Sequence, residues 1–210
     1  LAEQSAAALR AQGLSVWALA LDLADPASVS GCADAAVAAL GGLDGLVNNG
    51  AVTDSGGRDS ADIDLATWDR VMQVNVRGTW LMCNACRAAL SASGRGAVVN
   101  LASDTALWGA PRLMAYVASK GAVIAFTRAV GAEVAGANIF VNAIAPGGVA
   151  TEMFEAYLGK LAPEAQAALF QMIPAGRLGT LGEYAGLALY LAGDNHYLAG
   201  QVISPNGGMI

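Results

Sequence analysis

The chain predicts an α/β fold built on a doubly wound parallel sheet, and three observations lead there. Short runs of apolar residues recur at 14–21, 43–48, 97–101, 138–143 and 201–204 with little polar alternation. Strands of that kind are buried on both faces. Longer segments with helical spacing of apolar residues separate most of them, so strand and helix alternate along the chain. Polar residues gather where the apolar runs end: Asn48-Asn49, Ser103-Asp104, and Asn142 followed by the Pro146-Gly147-Gly148 turn. Open α/β sheets bind ligands beyond the carboxyl ends of their strands.

Each element has its own warrant. Residues 1–12 read as a helix that stops at Gly13, and Leu14 to Leu21 as a buried strand. Asp25-Pro26 places an N-cap before a proline at the first helical position, opening a helix to about Leu40 that Gly41-Gly42 ends. Leu43 to Asn48 is a second strand, 66–91 a long helix, and Ala97 to Leu101 a third strand. A helix over 112–135 and a strand from Asn138 to Ala143 follow. Thr180-Leu181-Gly182-Glu183 is a capping box that opens a helix to about Ala192. Gln201 to Ser204 is the last strand. Residues 151–176 interrupt the alternation with Met153, Phe154, Tyr157, Pro163, Phe170, Met172 and Pro174. They read either as a mobile lid or as an ordinary packed helical insertion. With no internal repeat or linker, 1–210 is expected to form one domain.

Composition narrows the function classes. Hydrophobic residues make up 55% and charged residues 13% of the 210 positions, which suits one buried core and excludes a disordered chain. A formal net charge of -6 argues against nucleic acid as a partner, and no apolar run is long enough to make the membrane one. The three cysteines form an odd, sparse set, which points to a reducing, cytoplasmic compartment. Cys83 and Cys86 form a C-x-x-C without the second pair that structural zinc needs, so no metal site is expected. His196 reads as a loop residue. Leu1 opens directly into a helical pattern, and a preceding segment is expected.

Tyr116 and Lys120 carry the sharpest chemistry. Four residues apart in a helix, they share one face a turn apart. An adjacent ammonium favours phenolate over phenol. Bringing a tyrosine from about 10 to about 7 takes roughly 4 kcal/mol, which a lysine in a poorly solvated cleft together with a cofactor charge could supply. Alone, the pair also fits an ordinary surface contact. Asn75 adds a second clue: it interrupts the apolar stripe Trp68, Met72, Thr79, Met82, Cys86, Ala89. A buried amide there either holds a water or backbone carbonyl near a site, or is a satisfied core asparagine.

Taken in order, the motifs resemble the short-chain dehydrogenase/reductase family over essentially all of residues 1–210. The resemblance rests on Asp22-Leu23, Leu46-Val47-Asn48-Asn49-Gly50-Ala51, Asn75, Ser103, Tyr116-x-x-x-Lys120, Val141 to Gly147, and Gly200-Gln201 with Asn206-Gly207-Gly208. It implies a Rossmann-like fold and an NAD- or NADP-dependent oxidoreductase. The implied reaction moves a hydride between nicotinamide and a secondary alcohol or ketone, with a 3-oxoacyl thioester or a hydrophobic or cyclic compound as candidate substrates. By the same resemblance, Tyr116 is the acid/base, Lys120 lowers its pKa and bonds the nicotinamide ribose, Ser103 polarises the substrate oxygen, and Asn75 fixes a water linking Lys120 to solvent. Asp22 corresponds to the aspartate that bonds the adenine amino group, with Leu23 beside it, although a turn aspartate fits too. Asn49, Gly50 and Ala51 would line the adenosine ribose. Pro146, Gly147, Val149 and Thr151 match the loop that meets the carboxamide, and Thr151 equally suits a helix cap. A homodimer or homotetramer through helices 66–91 and 112–135 is implied, with Trp80 and Phe126 on the outer faces.

The departures are specific. The family pattern Asn-Asn-Ala-Gly appears here as Asn48-Asn49-Gly50-Ala51. The family's opening strand, glycine-rich phosphate loop, helix and second strand, a unit of about 30 residues or more, is not seen ahead of residue 1. Gly56-Gly57 is no substitute, because it follows the wrong strand. The chain is therefore expected to be part of a longer enzyme, and the choice between NAD and NADP, set at the end of that second strand, is not readable. Trp108, Leu113, Met153, Phe154 and Tyr157 suggest an apolar pocket or plain core, and Arg112 reads as a solvated arginine. A non-catalytic dinucleotide-binding sensor on the same fold is the alternative, and an epimerase or dehydratase is disfavoured by the short C-terminal part.

Overall fold

The computed structural model describes residues 1–54 and 58–210, without the side chains of Met153 and Tyr157. Gly56-Gly57 lies outside the described residues. Four parallel strands form the sheet: β1 (Gly45–Asn48), β2 (Gly96–Leu101), β3 (Ile139–Ile144) and β4 (Val202–Ile203), in that spatial order. The register sets Asn48 beside Asn100 and Leu101 beside Ile144, so the carboxyl ends of β1, β2 and β3 are aligned.

Helices cover both faces, as the continuous apolar strands require. On one side, α4 (Thr79–Ala92) and α6 (Met114–Val134) pack on the sheet, with α2 (Pro26–Leu40) against α4. Their core joins Val29, Ala33, Met82, Cys86, Leu90, Val98 and Val141. On the other side, α9 (Leu181–Leu189) and a π-helical turn at Tyr190–Asp194 close over Val99, Ile144 and Leu191. Adjacent Val98 and Val99 thus serve opposite faces, the period of two that a strand imposes.

The caps follow the residues. Asp25 accepts from the Ala27 N–H at 3.0 Å, Pro26 opens α2, and Gly41 ends it at φ 74°. Thr180 and Glu183 form the reciprocal box that starts α9. The helix expected over 1–12 is α1 (Ala2–Arg10), a short α5 (Thr105–Trp108) follows β2, and the insertion at 151–176 folds as α7 (Glu152–Leu158) and α8 (Pro163–Gln171).

Two expectations change. Residues 14–21 form no strand: no ladder partner lies beside them among the described residues, and Leu14, Trp17, Leu19 and Leu21 are exposed. The apolar pattern encodes a face to bury, while a strand also needs a neighbour's N–H and C=O groups. The helix over 66–91 is a rod in three pieces, α3 (Leu65–Met72), a π turn at Gln73–Gly78, and α4. A Cβ on Gly78 would lie 2.8 Å from the Leu23 Cβ and carbonyl oxygen, so the widened turn admits Leu23 only because it ends in glycine.

Candidate active site

Ser103 follows β2, and Tyr116 and Lys120 lie in the first two turns of α6. The Ser103 hydroxyl faces the Tyr116 phenol, where it favours the ionised form. Ser103 Oγ also accepts from the Thr105 hydroxyl at 2.8 Å, which leaves its own proton free to be donated. Lys120 is 4% exposed, sits 5.6 Å from the centre of the Tyr116 ring, and donates to the Leu101 carbonyl at 2.6 Å. The sequence therefore brings serine, phenol and ammonium to one point at the end of β2.

The electrostatics differ from the expectation. The Tyr116 phenol is pushed up, not down: burial disfavours phenolate, the Ser103 hydroxyl opposes this, and the charge of Asp104 adds to it. Burial brings Lys120 down to about 8. The ammonium sits over the ring face and donates to a backbone carbonyl.

Asn75 is in the π turn and 1% exposed. Its Oδ1 accepts from the Val52 N–H and its Nδ2 donates to the Val52 carbonyl, both at 2.8 Å, and Nδ2 also donates to Ser119 Oγ at 3.0 Å. Its backbone carbonyl accepts from the Thr79 hydroxyl at 2.8 Å. Both side-chain hydrogens are committed to protein, so the amide clamps the loop after β1 to α6. That fits a satisfied core asparagine as well as one holding a backbone carbonyl, and it leaves the amide no hydrogen for a water. Ser119 in turn donates to the Tyr116 carbonyl at 2.7 Å.

Of the residues expected at a dinucleotide, Asn49 to Ala51 follow β1 and Pro146-Gly147 follow β3, while Asp22 and Leu23 follow a segment that forms no strand. Asn49, Gly50 and Ala51 are exposed directly after β1, and a Cβ on Gly50 would lie 2.8 Å from Leu23 Cδ1. Asp22 folds into a turn, accepting from the Ala24 N–H at 2.9 Å with Arg70 at 3.9 Å. Pro146 accepts from the Asp104 N–H at 3.0 Å. A Cβ on Gly147 would press to 2.8 Å from Asn206 Cα, a backbone approach that only glycine permits. Val149 bridges to Gly179, and Thr151 Oγ1 accepts from the Phe154 N–H at 3.2 Å, the capping role. Both glycines are thus required by close packing against the protein itself, Gly50 against Leu23 and Gly147 against Asn206. Among the described residues no glycine-rich loop connects a strand to a helix at the front of the sheet.

A family model described as enoyl-(acyl carrier protein) reductase matches residues 1–210. A crystal structure described as that of a short-chain alcohol dehydrogenase from Sinorhizobium meliloti 1021 superposes with a TM-score of 0.91 at 34% identity, covering 99% of this chain and 81% of that one. The chain belongs to the short-chain dehydrogenase/reductase family. An inactive 2-(S)-hydroxypropyl-CoM dehydrogenase 2 from Xanthobacter autotrophicus is 38% identical over 99% of this chain and 90% of its own. The 2-(S)-hydroxypropyl-CoM dehydrogenase 3 of the same organism is 36% identical over 100% and 82%. This short-chain dehydrogenase/reductase is accordingly an oxidoreductase by descent.

Two site residues escaped sequence reasoning. Asp104, 4% exposed, keeps Oδ2 without a hydrogen-bond partner, and burial raises its carboxyl above the usual range. Its position next to Ser103 was visible, but the orphaned oxygen was not. Asp54, 3% exposed, accepts from the Ala115 N–H at 3.1 Å across 61 residues, a contact no local pattern announces.

Proposed function

We propose that this chain is an NAD(P)-dependent oxidoreductase that interconverts a secondary alcohol and a ketone with Tyr116 as acid/base. The observation that carries the reading is the meeting of the Ser103 hydroxyl and the Tyr116 phenol over buried Lys120 at the end of β2. A bound nicotinamide supplies or accepts the hydride. In the reductive direction, Ser103 donates a hydrogen bond to the substrate oxygen as negative charge develops there. Tyr116 passes its proton to that oxygen, and Lys120 stabilises the phenolate left behind. Asp22, Leu23, Asn49, Gly50 and Ala51 would hold the adenosine end, and Pro146, Gly147, Val149 and Thr151 the nicotinamide end.

The substrate reading is a compact or hydrophobic secondary alcohol, in keeping with relatives named for a 2-hydroxypropyl group. A 3-oxoacyl or cyclic ketone is of the same class. Half-exposed Trp108 and part-buried Leu113 and Phe154 support an apolar pocket, over which α7 and α8 would act as the lid. A groove lined by Met72, Val76, Trp80 and Phe126 supports pairing of two copies through α4 and α6. The free Cys32, Cys83 and Cys86 support a reducing cytoplasm. The outer edge of β1, unpaired among the described residues, supports a further strand–loop–helix–strand unit in the working enzyme.

The test is oxidation of NADH and NADPH by a panel of ketones, with Tyr116→Phe in parallel. The variant should lose at least about a hundredfold in kcat. Equal turnover would remove the phenol from the mechanism. The relative described as inactive favours one other reading, a dinucleotide-binding sensor. Cofactor binding with no turnover across the panel would establish it.

A further inference from the structure

We infer that Asp54 is a positioning residue for the proposed acid/base, setting the first turn of α6 so that the Tyr116 phenol meets Ser103. The inference rests on the acid/base reading above and concerns how the phenol is held.

Helix α6 lacks a local cap. Its N-cap residue is Leu113, which offers no side-chain acceptor. The first N–H groups of a helix have no partners inside it. Asp54 supplies one from 61 residues earlier, where Oδ2 accepts from the Ala115 N–H at 3.1 Å. A carboxylate at that end also meets the positive pole of the helix dipole. Asp54 is 3% exposed, so the bond is shielded from competing water.

A second set of bonds fixes the same loop two residues away. Asn75 grips both backbone groups of Val52 and reaches Ser119, which holds the Tyr116 carbonyl. Tyr116 therefore lies between two anchors, Ala115 on one side and Ser119 on the other, both tied to residues 52–54. That loop continues directly from Asn49-Gly50-Ala51. Asp54 and the Asn75 clamp together fix the angle of the first turn, and with it the phenol oxygen. A misplacement of about 1 Å at such a group can cost about a hundredfold in rate.

The experiment compares Asp54→Ala, Asp54→Asn, Asp25→Ala and Tyr116→Phe in the 210-residue protein, with ethyl acetoacetate as the ketone and NADH or NADPH as the reductant. Asp25→Ala removes a cap of α2, remote from the phenol, and serves as the matched destabilised control. Asp54→Ala should lower kcat by about tenfold or more while KM moves less than about threefold. The Ala115 amide should exchange with solvent at least about tenfold faster. Asp54→Asn keeps an acceptor oxygen and should recover kcat to within about threefold of the parent. Asp25→Ala should lower Tm with kcat per folded molecule unchanged. The inference is overturned if Asp54→Ala keeps its kcat, if Asp54→Asn is as slow as Asp54→Ala, or if Asp25→Ala slows turnover equally. An unprotected Ala115 amide in the parent protein overturns it without any turnover measurement. Full activity in Tyr116→Phe defeats the acid/base reading itself, and this inference with it.

Discussion

Lys120 is the most heavily constrained side chain in the site. An ammonium buried to 4% exposure with a backbone carbonyl at 2.6 Å loses most of its hydration, and its pKa falls from 10.5 to about 8. Such a shift corresponds to about 3 kcal/mol against the folded, protonated state. The sign follows from linkage. Between about pH 8 and pH 10.5 the unfolded chain holds a proton that the folded chain has released, so stability rises with pH across that window. Below it the cost of the buried charge is fully present. Lys120→Met lacks this titration. Urea unfolding of both proteins from pH 7 to pH 10 should show the parent gaining up to about 3 kcal/mol relative to the variant. Parallel stability curves would mean that Lys120 is hydrated in solution. Asp104 acts against Tyr116 in the same region, since its carboxyl sits beside Ser103 with one oxygen unpartnered and its charge holds the phenol protonated. That charge, together with burial, keeps the phenol a proton donor, which suits ketone reduction.

At the scale of the element, the rod from Leu65 to Ala92 shows how tertiary contact overrides helical period. Its central π turn carries Asn75 to Val52 and ends at Gly78, against which Leu23 packs. Gly78→Ala drives a methyl to 2.8 Å from the Leu23 carbonyl oxygen, a backbone atom that cannot swing away. It should cost about 1–3 kcal/mol. Gly31, inside α2 with nothing within 4 Å of an added Cβ, should instead gain about 0.5–1 kcal/mol as alanine. Thermal unfolding of the two variants checks both signs, and destabilisation by Gly31→Ala would break the contrast. The same rod marks what was legible. Local chemistry was readable: Asp25-Pro26 and Gly41 bounded α2, the Thr180–Glu183 box opened α9, and Tyr116 and Lys120 fell on one helix face as spaced. The π turn was not, because Leu23 and Val52 impose it from outside the helix. Asp54 was missed because its contact spans 61 residues. The lowering of the phenol pKa was misjudged because spacing gives the face of a lysine and not where its nitrogen points.

For the whole molecule, the outer edge of β1 is where the proposed additional strand unit can be tested through cofactor affinity. Among the described residues β1 is hydrogen-bonded to β2 alone, and Val47 on that edge is exposed. Trp17, Leu19 and Leu21 are exposed as well, although their pattern is that of a strand with both faces covered. Unpaired strand edges with apolar surroundings invite association with other chains. They also leave the dinucleotide only part of its contacts. The row from Asn49 to Ala51 and the loop from Pro146 to Thr151 offer walls for its two ends. A phosphate normally rests on backbone N–H groups at a helix N-terminus reached through a glycine-rich turn, and the described residues contain no such turn ahead of the sheet. Those contacts carry much of a dinucleotide's binding energy, so the 210-residue chain should bind NADH or NADPH more weakly than about 1 μM. It should also associate as its concentration rises. Fluorescence titration with each dinucleotide, alongside light scattering, measures both. Sub-micromolar binding by a monodisperse sample would show that the edge of β1 is complete as it stands, and the proposed additional strand unit would be unnecessary.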